Sequence, residues 1–177
     1  AIACHRGFKP WLNRDVAEVE QEVLQLQALA PSIVEIIHTG KAPVRKRNNK
    51  GYAERYLWGV TGKRPSADDL SAVETYLILT IDHGLNASTF SGRVTASTGA
   101  DVGAAITAAV GTLSGPLHGG APGPVLDMLD SIGAPDKAAS WVQAELSSGR
   151  RIMGFGHRVY RTDDPRSLCL RGVAQKQ

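Results

Sequence analysis

Three of the five histidines stand in short loops that contain glycine, where an imidazole could carry out acid–base chemistry. His83 lies in "DHG", His118 in "GPLHGG" and His157 in "MGFGH". Each follows an apolar run and falls at a predicted helix end or turn. Glycine leaves room beside the ring for a ligand or a neighbouring stretch of backbone. A single loop histidine is more often only hydrogen-bonded or exposed, but three with the same pattern favour a functional site.

His118 stands just before "APGPVLDMLDSIG", whose prolines predict a helix N-terminus. The positive end of a helix dipole disfavours the imidazolium form. A neutral imidazole can donate one hydrogen bond to a carbonyl oxygen and thereby stabilise an enol as it forms. A neutral His118 could therefore act as a hydrogen-bond donor of this kind.

Cations follow the third histidine. They are Arg158, Arg161 and Arg166, which lie one, four and nine residues after His157. An arginine clamps a carboxylate or phosphate with a planar fork of N–H groups, so this segment suits a carbonyl substrate that also carries carboxylates. Taken one by one, each arginine is more often a surface residue or a helix cap. Asp163 or Asp164, before Pro165, is expected to cap a helix rather than to act as a base.

The composition fits a globular protein and argues against several other classes. Of 177 residues, 42% are hydrophobic and 21% charged, and no stretch approaches the roughly 20 apolar residues of a membrane helix. The N-terminus "AIACHRGF" lacks a secretory pattern, so we expect a cytoplasmic protein without a membrane partner. A net charge of +3 is too small and dispersed to indicate nucleic-acid binding. The basic run "VRKRNNK" is interpreted as a solvated loop, with a phosphate contact as the alternative.

Hydrophobic spacing predicts an all-α protein, and no alternating strand pattern stands out. A first helix is expected to begin after a cap at Asp15. Pro31 is expected to start or bend a second helix, which ends at Gly40. Cys4 and Cys169 lie far apart and have no metal-type spacing, so we expect them to be buried or incidental.

Further helices are expected over Tyr52 to Val60 and from a cap at Ser66 through Ile81. A helix from Ala100 to Leu113 has almost no bulky side chains. Small residues let helix backbones approach closely, and each glycine would cost about 1 kcal/mol on an exposed helix. We therefore expect this helix to be packed between others, within the chain or across a dimer. Another small-residue helix is expected before Ala100 in "ASTFSGRVTASTGADVGAAITAAVGTL", and two more helices are expected in "APGPVLDMLDSIG" and "DKAASWVQAELSSG".

Three blocks resemble the citrate synthase family, particularly its bacterial branch: "DHGLNASTF", "GPLHGGA" and "IMGFGHRVYRTDDPR", in the family's order and approximate spacing. The resemblance runs from about Pro31 to about Leu170. It implies the family's multi-helical fold and the condensation of an acyl-CoA with a 2-oxo acid. The usual substrates are acetyl-CoA and oxaloacetate, which give citrate and free CoA. The resemblance thus implies small-molecule substrates and no tightly bound cofactor.

The resemblance also implies roles for individual residues. His118 would donate to the thioester carbonyl as the enol forms, and His157 would protonate the oxo group of oxaloacetate as carbon attacks. His83 would hold the oxo acid, with Arg166 on a carboxylate. Arg161 would lie near the CoA phosphates. The CoA adenine would lie beside five consecutive residues: Ile152, Met153, Gly154, Phe155 and Gly156.

By the same resemblance, residues 1–117 would belong to the family's large domain and residues 118–177 to the start of its small domain. The active site would lie in the cleft between them, in a homodimer or larger oligomer. The family's catalytic base is an aspartate expected downstream of residue 177, so we expect this chain alone to be inactive. A non-catalytic module that binds a CoA ester or a partner is therefore one alternative. Pro122 stands where the family often has asparagine. It leaves open a second alternative, a 2-methylcitrate synthase that uses propionyl-CoA.

Overall fold

The computed structural model describes residues 7–43, 51–156 and 161–176, and all regular structure in these ranges is helical. This confirms the predicted all-α class. Within the same ranges, no helix is both long and apolar enough to cross a membrane. The described helices are α1 (Val16–Thr39), α2 (Tyr52–Thr61), α3 (Ala67–Leu79), α4 (Ala87–Ser97), α5 (Val102–Leu113), α6 (Gly123–Ile132), a 3₁₀-helix (Pro135–Lys137), α7 (Ala138–Ser147) and α8 (Pro165–Ala174).

Helix α1 begins at the predicted cap, and it ends at the glycine predicted to end a second helix. Asp15 caps α1, since its Oδ1 accepts a hydrogen bond of 2.9 Å from the Ala17 N–H. Gly40 ends the helix in the left-handed region, at a φ of +67°, and its N–H donates to the Ile36 carbonyl at 2.8 Å. Both boundaries therefore have local causes.

Pro31 is predicted to start or bend a second helix. The start is wrong, because α1 runs through this residue as a single helix of 24 residues, whereas the bend stays a prediction. A proline inside a helix removes one backbone hydrogen bond, so other contacts must support the helix there. Pro31 is fully buried. Arg55 of α2 donates to the Ala28 carbonyl at 3.3 Å and to the Ser32 hydroxyl. Contacts with α2 therefore support α1 on both sides of the proline.

The start of α3 is as predicted, but its end is not. Ser66 Oγ accepts from the Asp69 N–H at 3.1 Å, and the Asp69 carboxylate accepts from the Ser66 N–H at 3.2 Å, which is a capping box. The helix ends at Leu79 rather than Ile81. The chain leaves the helix two residues early and enters the turn that contains His83.

Two other boundaries differ slightly from the prediction. α2 extends one residue further, to Thr61. α5 begins two residues later than predicted, at Val102. The preceding Gly99 has a φ of +80°, and its carbonyl accepts a hydrogen bond of 3.2 Å from the Trp11 N–H. This contact holds the chain in a non-helical conformation before α5.

The chain divides into two compact units. The first comprises Ala1–Gly84, Gly99–Val102 and Thr162–Gln177, and within it α2 packs on α1 and α3, while α3 also packs on α8. The second comprises Leu85–Thr98 and Gly103–Arg161. The expected boundary between residues 117 and 118 refers to the domains of the complete family fold, and it stays a prediction.

In the second unit, the small residues of α4 and α5 let the two helices approach closely. A Cβ built on Gly92 would lie 3.4 Å from the Ala109 methyl group, and Ser91 Oγ donates to the Ala108 carbonyl at 3.3 Å. Val110 of α5 is 57% exposed. Close packing within the chain is thus present on one side of α5, whereas a dimer contact through this helix stays a prediction.

Close packing also marks the contact between α1 and α2. Glu35 of α1 is only 6% exposed and lies against Gly59 of α2. A Cβ at Gly59 would lie 3.0 Å from Glu35 Oε2 and 3.1 Å from Glu35 Cβ. Because the nearest atoms include the stem of a buried side chain, the interface has little room to adjust.

We expect Gly59→Ala to lower the melting temperature of the protein, as measured by circular dichroism. Overpacking costs about 1–3 kcal/mol, more than the ~1 kcal/mol that alanine gains over glycine in a helix. Gly172→Ala in α8 is the matched control, because nothing lies within 4 Å of the added methyl group. It should leave the melting temperature unchanged or raise it. Equal melting temperatures for the two variants would contradict the crowding at Gly59.

Candidate functional site

His83 lies in a tight turn shortly after α3. The Asp82 carboxylate accepts a 2.8 Å hydrogen bond from the Gly84 N–H, and Gly84 has a φ of +63°, in the left-handed region that favours glycine. The carboxylate therefore closes the turn around His83, which is exposed.

The structure brings His83 together with Arg166, the two residues predicted to hold an oxo acid. Arg166 Nη1 donates to His83 Nδ1 at 2.5 Å. A guanidinium has no acceptor, so Nδ1 must be the unprotonated nitrogen. His83 is thus a neutral imidazole with its proton on Nε2. That N–H is the group that can donate to a carbonyl or carboxylate oxygen.

Arg166 is itself held by Asp164, the residue that caps α8. Asp164 Oδ1 accepts from the Arg166 backbone N–H at 2.9 Å, and Oδ2 accepts from Arg166 Nη2 at 2.6 Å. Of the two aspartates considered as caps, Asp164 is therefore the one that caps the helix. A cavity of about 530 Å³ lies against His83, Asp164 and Arg166, and Arg171 also lines it. The site combines a neutral donor with positive charge, which suits an anionic carbonyl compound.

The glycines of "GPLHGG" fold the chain into successive turns around His118. The His118 and Gly120 N–H groups both donate to the Gly115 carbonyl, at 3.0 and 3.1 Å. A Cβ at Gly119 would lie 2.6 Å from Leu113 Cγ, and one at Gly120 would lie 3.0 Å from the Gly115 carbonyl oxygen. The loop has no room for side chains at these two positions, which explains why the imidazole stands among glycines.

His118 is half-buried, and its Nε2 lies 2.9 Å from Ser88 Oγ. Ser88 Oγ is also 2.8 Å from Asn86 Oδ1, which caps α4 by accepting from the Thr89 N–H at 2.9 Å. The Ser88 hydroxyl has one proton, which it donates to Asn86 Oδ1 in this structure and would donate to His118 if the hydroxyl rotated. In a neutral ring, Nε2 is the donor in the first case and Nδ1 in the second. One hydroxyl group therefore controls where the His118 proton lies.

The segment predicted to lie beside CoA presents one aromatic ring. Ile152 and Met153 are half-buried. Gly154 and Gly156 take left-handed conformations, with φ of +82° and +85°, and Phe155 between them is 77% exposed. An exposed ring of this kind can stack on a nucleobase. The conformation therefore fits the predicted contact with adenine, which stays a prediction.

Two residues that the motifs single out, His157 and Arg158, lie outside the described residues. Arg161 is described and exposed. The expected contact of Arg161 with the CoA phosphates and that of His157 with an oxo group both stay predictions.

A bidentate ion pair joins Glu145 and Arg150 just before residues 152–156. Arg150 Nε and Nη2 donate to the two Glu145 carboxylate oxygens, both at 2.6 Å, and the Arg150 N–H donates to the Glu145 carbonyl at 3.0 Å. The hydrogen bonds from Arg150 lower the pKa of the Glu145 carboxyl below its ordinary value. The Glu145–Arg150 pair therefore helps to close the turn after α7, and Ile152 follows two residues later.

Comparison with known proteins identifies the family. The family model described as the citrate synthase C-terminal domain matches residues 1–177. The chain belongs to the citrate synthase family. The resemblance seen in the three sequence motifs is thereby confirmed.

Relatives of this citrate synthase-family chain include enzymes from bacteria and an archaeon. Citrate synthase 2 of Bacillus subtilis is 42% identical over 159 residues, which are 88% of this chain and 43% of that protein. The 2-methylcitrate synthase of Mycobacterium tuberculosis is 41% identical over 165 residues, 92% of this chain and 42% of that protein. Citrate synthase of Thermoplasma acidophilum has been solved as a ternary complex with carboxymethyl coenzyme A and oxaloacetate. Its structure matches this chain with a TM-score of 0.82 and 33% sequence identity. The match covers 99% of this chain and 46% of that one. The chain thus spans less than half the length of these relatives.

Sequence reasoning missed Ser88 as the neighbour of His118. The citrate synthase motif "DHGLNASTF" contains it, and an asparagine two residues before a serine is a recognisable start of a helix. That signal places the hydroxyl in the first turn of α4. Nothing local links it to a histidine 30 residues along the chain.

We expect Arg150→Ala to raise the pKa of Glu145 toward its ordinary value, because it removes the hydrogen bonds and the charge that lower it. In the parent protein the pair persists above the lowered pKa and is lost as the pH falls through it. An NMR pH titration of the Glu145 side chain measures this. Arg151→Ala removes the same charge from the next, exposed residue and should leave the Glu145 pKa low. A Glu145 pKa that stays low in Arg150→Ala would show that another group lowers it.

Proposed function

We propose that the complete protein condenses acetyl-CoA with oxaloacetate to give citrate and free CoA through an enol intermediate. The observation that carries the proposal is the His118–Ser88 hydrogen bond in a loop whose glycines exclude other side chains. The His83–Arg166 pair supports it. The Thermoplasma relative is a complex with a CoA analogue and oxaloacetate, which supports this choice of substrates.

His118 is the proposed donor in the enolisation step. Removing a proton from the acetyl methyl group is difficult because this group is a weak acid. The negative charge of the enolate develops on the thioester carbonyl oxygen, where a hydrogen-bond donor stabilises it. In the proposed complex the Ser88 hydroxyl donates to His118 Nε2, so that Nδ1–H donates to this oxygen. Asn86 then still caps α4 through the Thr89 N–H. Mutations of comparable preorganised donors change turnover by about 10²–10³-fold.

The oxo acid is proposed to bind at the His83–Arg166 pair. The His83 Nε2–H would donate to an oxygen of oxaloacetate, and the Arg166 guanidinium would attract a carboxylate. His157 is proposed to protonate the keto oxygen as the carbon–carbon bond forms, which gives citryl-CoA. Water then hydrolyses the thioester to citrate and free CoA.

CoA is proposed to bind at residues 152–156, with its adenine on Phe155, and with Arg161 near its phosphates.

The base that removes the methyl proton is proposed to be an aspartate supplied by the remainder of the complete protein. The domain closure, the homodimer and the cytoplasmic location expected from the motifs are part of the same proposal. Light scattering of the purified complete protein tests the oligomeric state.

A 2-methylcitrate synthase is the second candidate. Pro122 leaves it open, and the mycobacterial 2-methylcitrate synthase is 41% identical to this chain, against 42% for citrate synthase 2 of Bacillus subtilis. One methylene is worth only about 1–3 kcal/mol in a hydrophobic pocket, or roughly 10- to 200-fold in kcat/KM. Thiol release with oxaloacetate, measured with acetyl-CoA and with propionyl-CoA, decides between them. The larger kcat/KM identifies the substrate, and binding of both CoA esters without thiol release would favour the non-catalytic module.

We expect His118→Ala in the complete protein to reduce turnover by about 10²–10³-fold, because the enol oxygen loses its donor. Oxaloacetate binding, measured by calorimetry, should be largely unchanged. His38→Ala is the matched control, since it removes a histidine from the last turn of α1 that has no proposed role. Parent-like turnover in His118→Ala would remove this residue from the mechanism.

A further inference from the structure

Asp164 makes more contacts with Arg166 than a helix cap requires. A cap needs one side-chain oxygen on an N–H near the helix start, and Oδ1 meets this need at 2.9 Å from the Arg166 backbone N–H. The two carboxylate oxygens also accept from Arg166 Nε at 3.1 and 3.2 Å, and Oδ2 accepts from Nη2 at 2.6 Å. The aspartate thus binds both the backbone and the side chain of one residue.

The pair is partly withdrawn from water. The side chains of Asp164 and Arg166 are 18% and 23% exposed. Fully exposed ion pairs lose most of their strength to solvent screening and side-chain motion, whereas bidentate, charge-assisted bonds fix orientation as well as distance. The Arg166 guanidinium is therefore held in one orientation before any ligand binds.

That orientation directs the third nitrogen of the guanidinium to a histidine. Asp164 accepts from Nε and Nη2, and Arg166 donates to His83 Nδ1 from Nη1. A carboxylate at the start of α8 thereby determines which ring nitrogen carries the proton in a turn after α3. Without the Asp164 carboxylate, Arg166 would lose the bonds that set this orientation, and His83 could adopt either tautomer.

We propose that Asp164 is a positioning residue for the oxo-acid site. It holds the Arg166 guanidinium so that Arg166 donates to His83 Nδ1, which leaves the His83 Nε2–H to donate to a 2-oxo acid. The inference rests on the proposed function for the identity of this ligand. It goes beyond capping, because a cap uses only Oδ1 and the backbone.

Two substitutions in the complete protein separate the capping of α8 by Asp164 from its contact with the Arg166 guanidinium. Asp164→Asn and Asp164→Ser both keep an oxygen at the cap position, where asparagine and serine are favoured residues. Neither keeps a carboxylate for the guanidinium. Asp163→Asn is the matched control, because it removes the same charge one residue earlier from an exposed position.

In both Asp164 variants the KM for oxaloacetate should rise about 10- to 100-fold, because the loss of charge-assisted bonds lets the binding groups move. The KM for acetyl-CoA and the melting temperature should be nearly unchanged. Asp163→Asn should match the parent protein in all three measurements. A parent-like KM for oxaloacetate in Asp164→Asn would overturn the inference. So would an equal rise in both KM values with a lower melting temperature, which is what loss of a cap alone produces.

The inference and the proposed function can fail separately. If the parent protein releases no thiol from acetyl-CoA or propionyl-CoA with oxaloacetate, the proposed function fails. Nitrogen NMR of the His83 ring then decides the positioning role. The parent protein and Asp163→Asn should have Nε2 protonated and Nδ1 unprotonated, while Asp164→Asn should populate both tautomers. A single, identical tautomer in all three proteins would overturn the inference.

Discussion

The hydrogen bond from Arg166 Nη1 to His83 Nδ1 joins residues 83 positions apart, and the proposed oxo-acid site depends on it. It requires α3 to end early enough for the Asp82 carboxylate to close a turn around the imidazole. It also requires α8 to start directly after Asp164, so that the guanidinium lies in the first helical turn. Capping and turn interactions at two helix ends thus determine where one long-range contact forms.

The sequence predicts those helix boundaries whose causes are local. Asp15, Ser66 and Gly40 act on backbone groups within four residues, so their effect is visible in a short stretch of sequence. Pro31 shows the limit of such reasoning. Its local effect is to interrupt a helix, but burial of the proline and hydrogen bonds from Arg55 on another helix support α1 there. Tertiary packing overrides the local preference, and nothing close to the proline in the sequence indicates this.

The same limit applies to the candidate site. The motifs identify His83, His118 and Arg166, because each stands in a short, distinctive run of residues. They do not identify the groups that hold these side chains. Ser88 lies 30 residues from the histidine it contacts, and the side-chain role of Asp164 is hidden behind its role as a cap. A motif indicates which residues react, whereas the contacts that orient them depend on how distant helices pack.

The two histidines differ in what their partners permit. The partner of His83 is a guanidinium, which only donates, so the imidazole keeps one tautomer for as long as the bond lasts. The partner of His118 is the Ser88 hydroxyl, which donates or accepts, so both tautomers of a neutral ring are compatible with the same 2.9 Å contact. A fixed donor suits a residue that recognises a substrate before the reaction starts. An adjustable one suits a residue whose hydrogen bond must strengthen as charge develops on the thioester oxygen, which is the role proposed for His118.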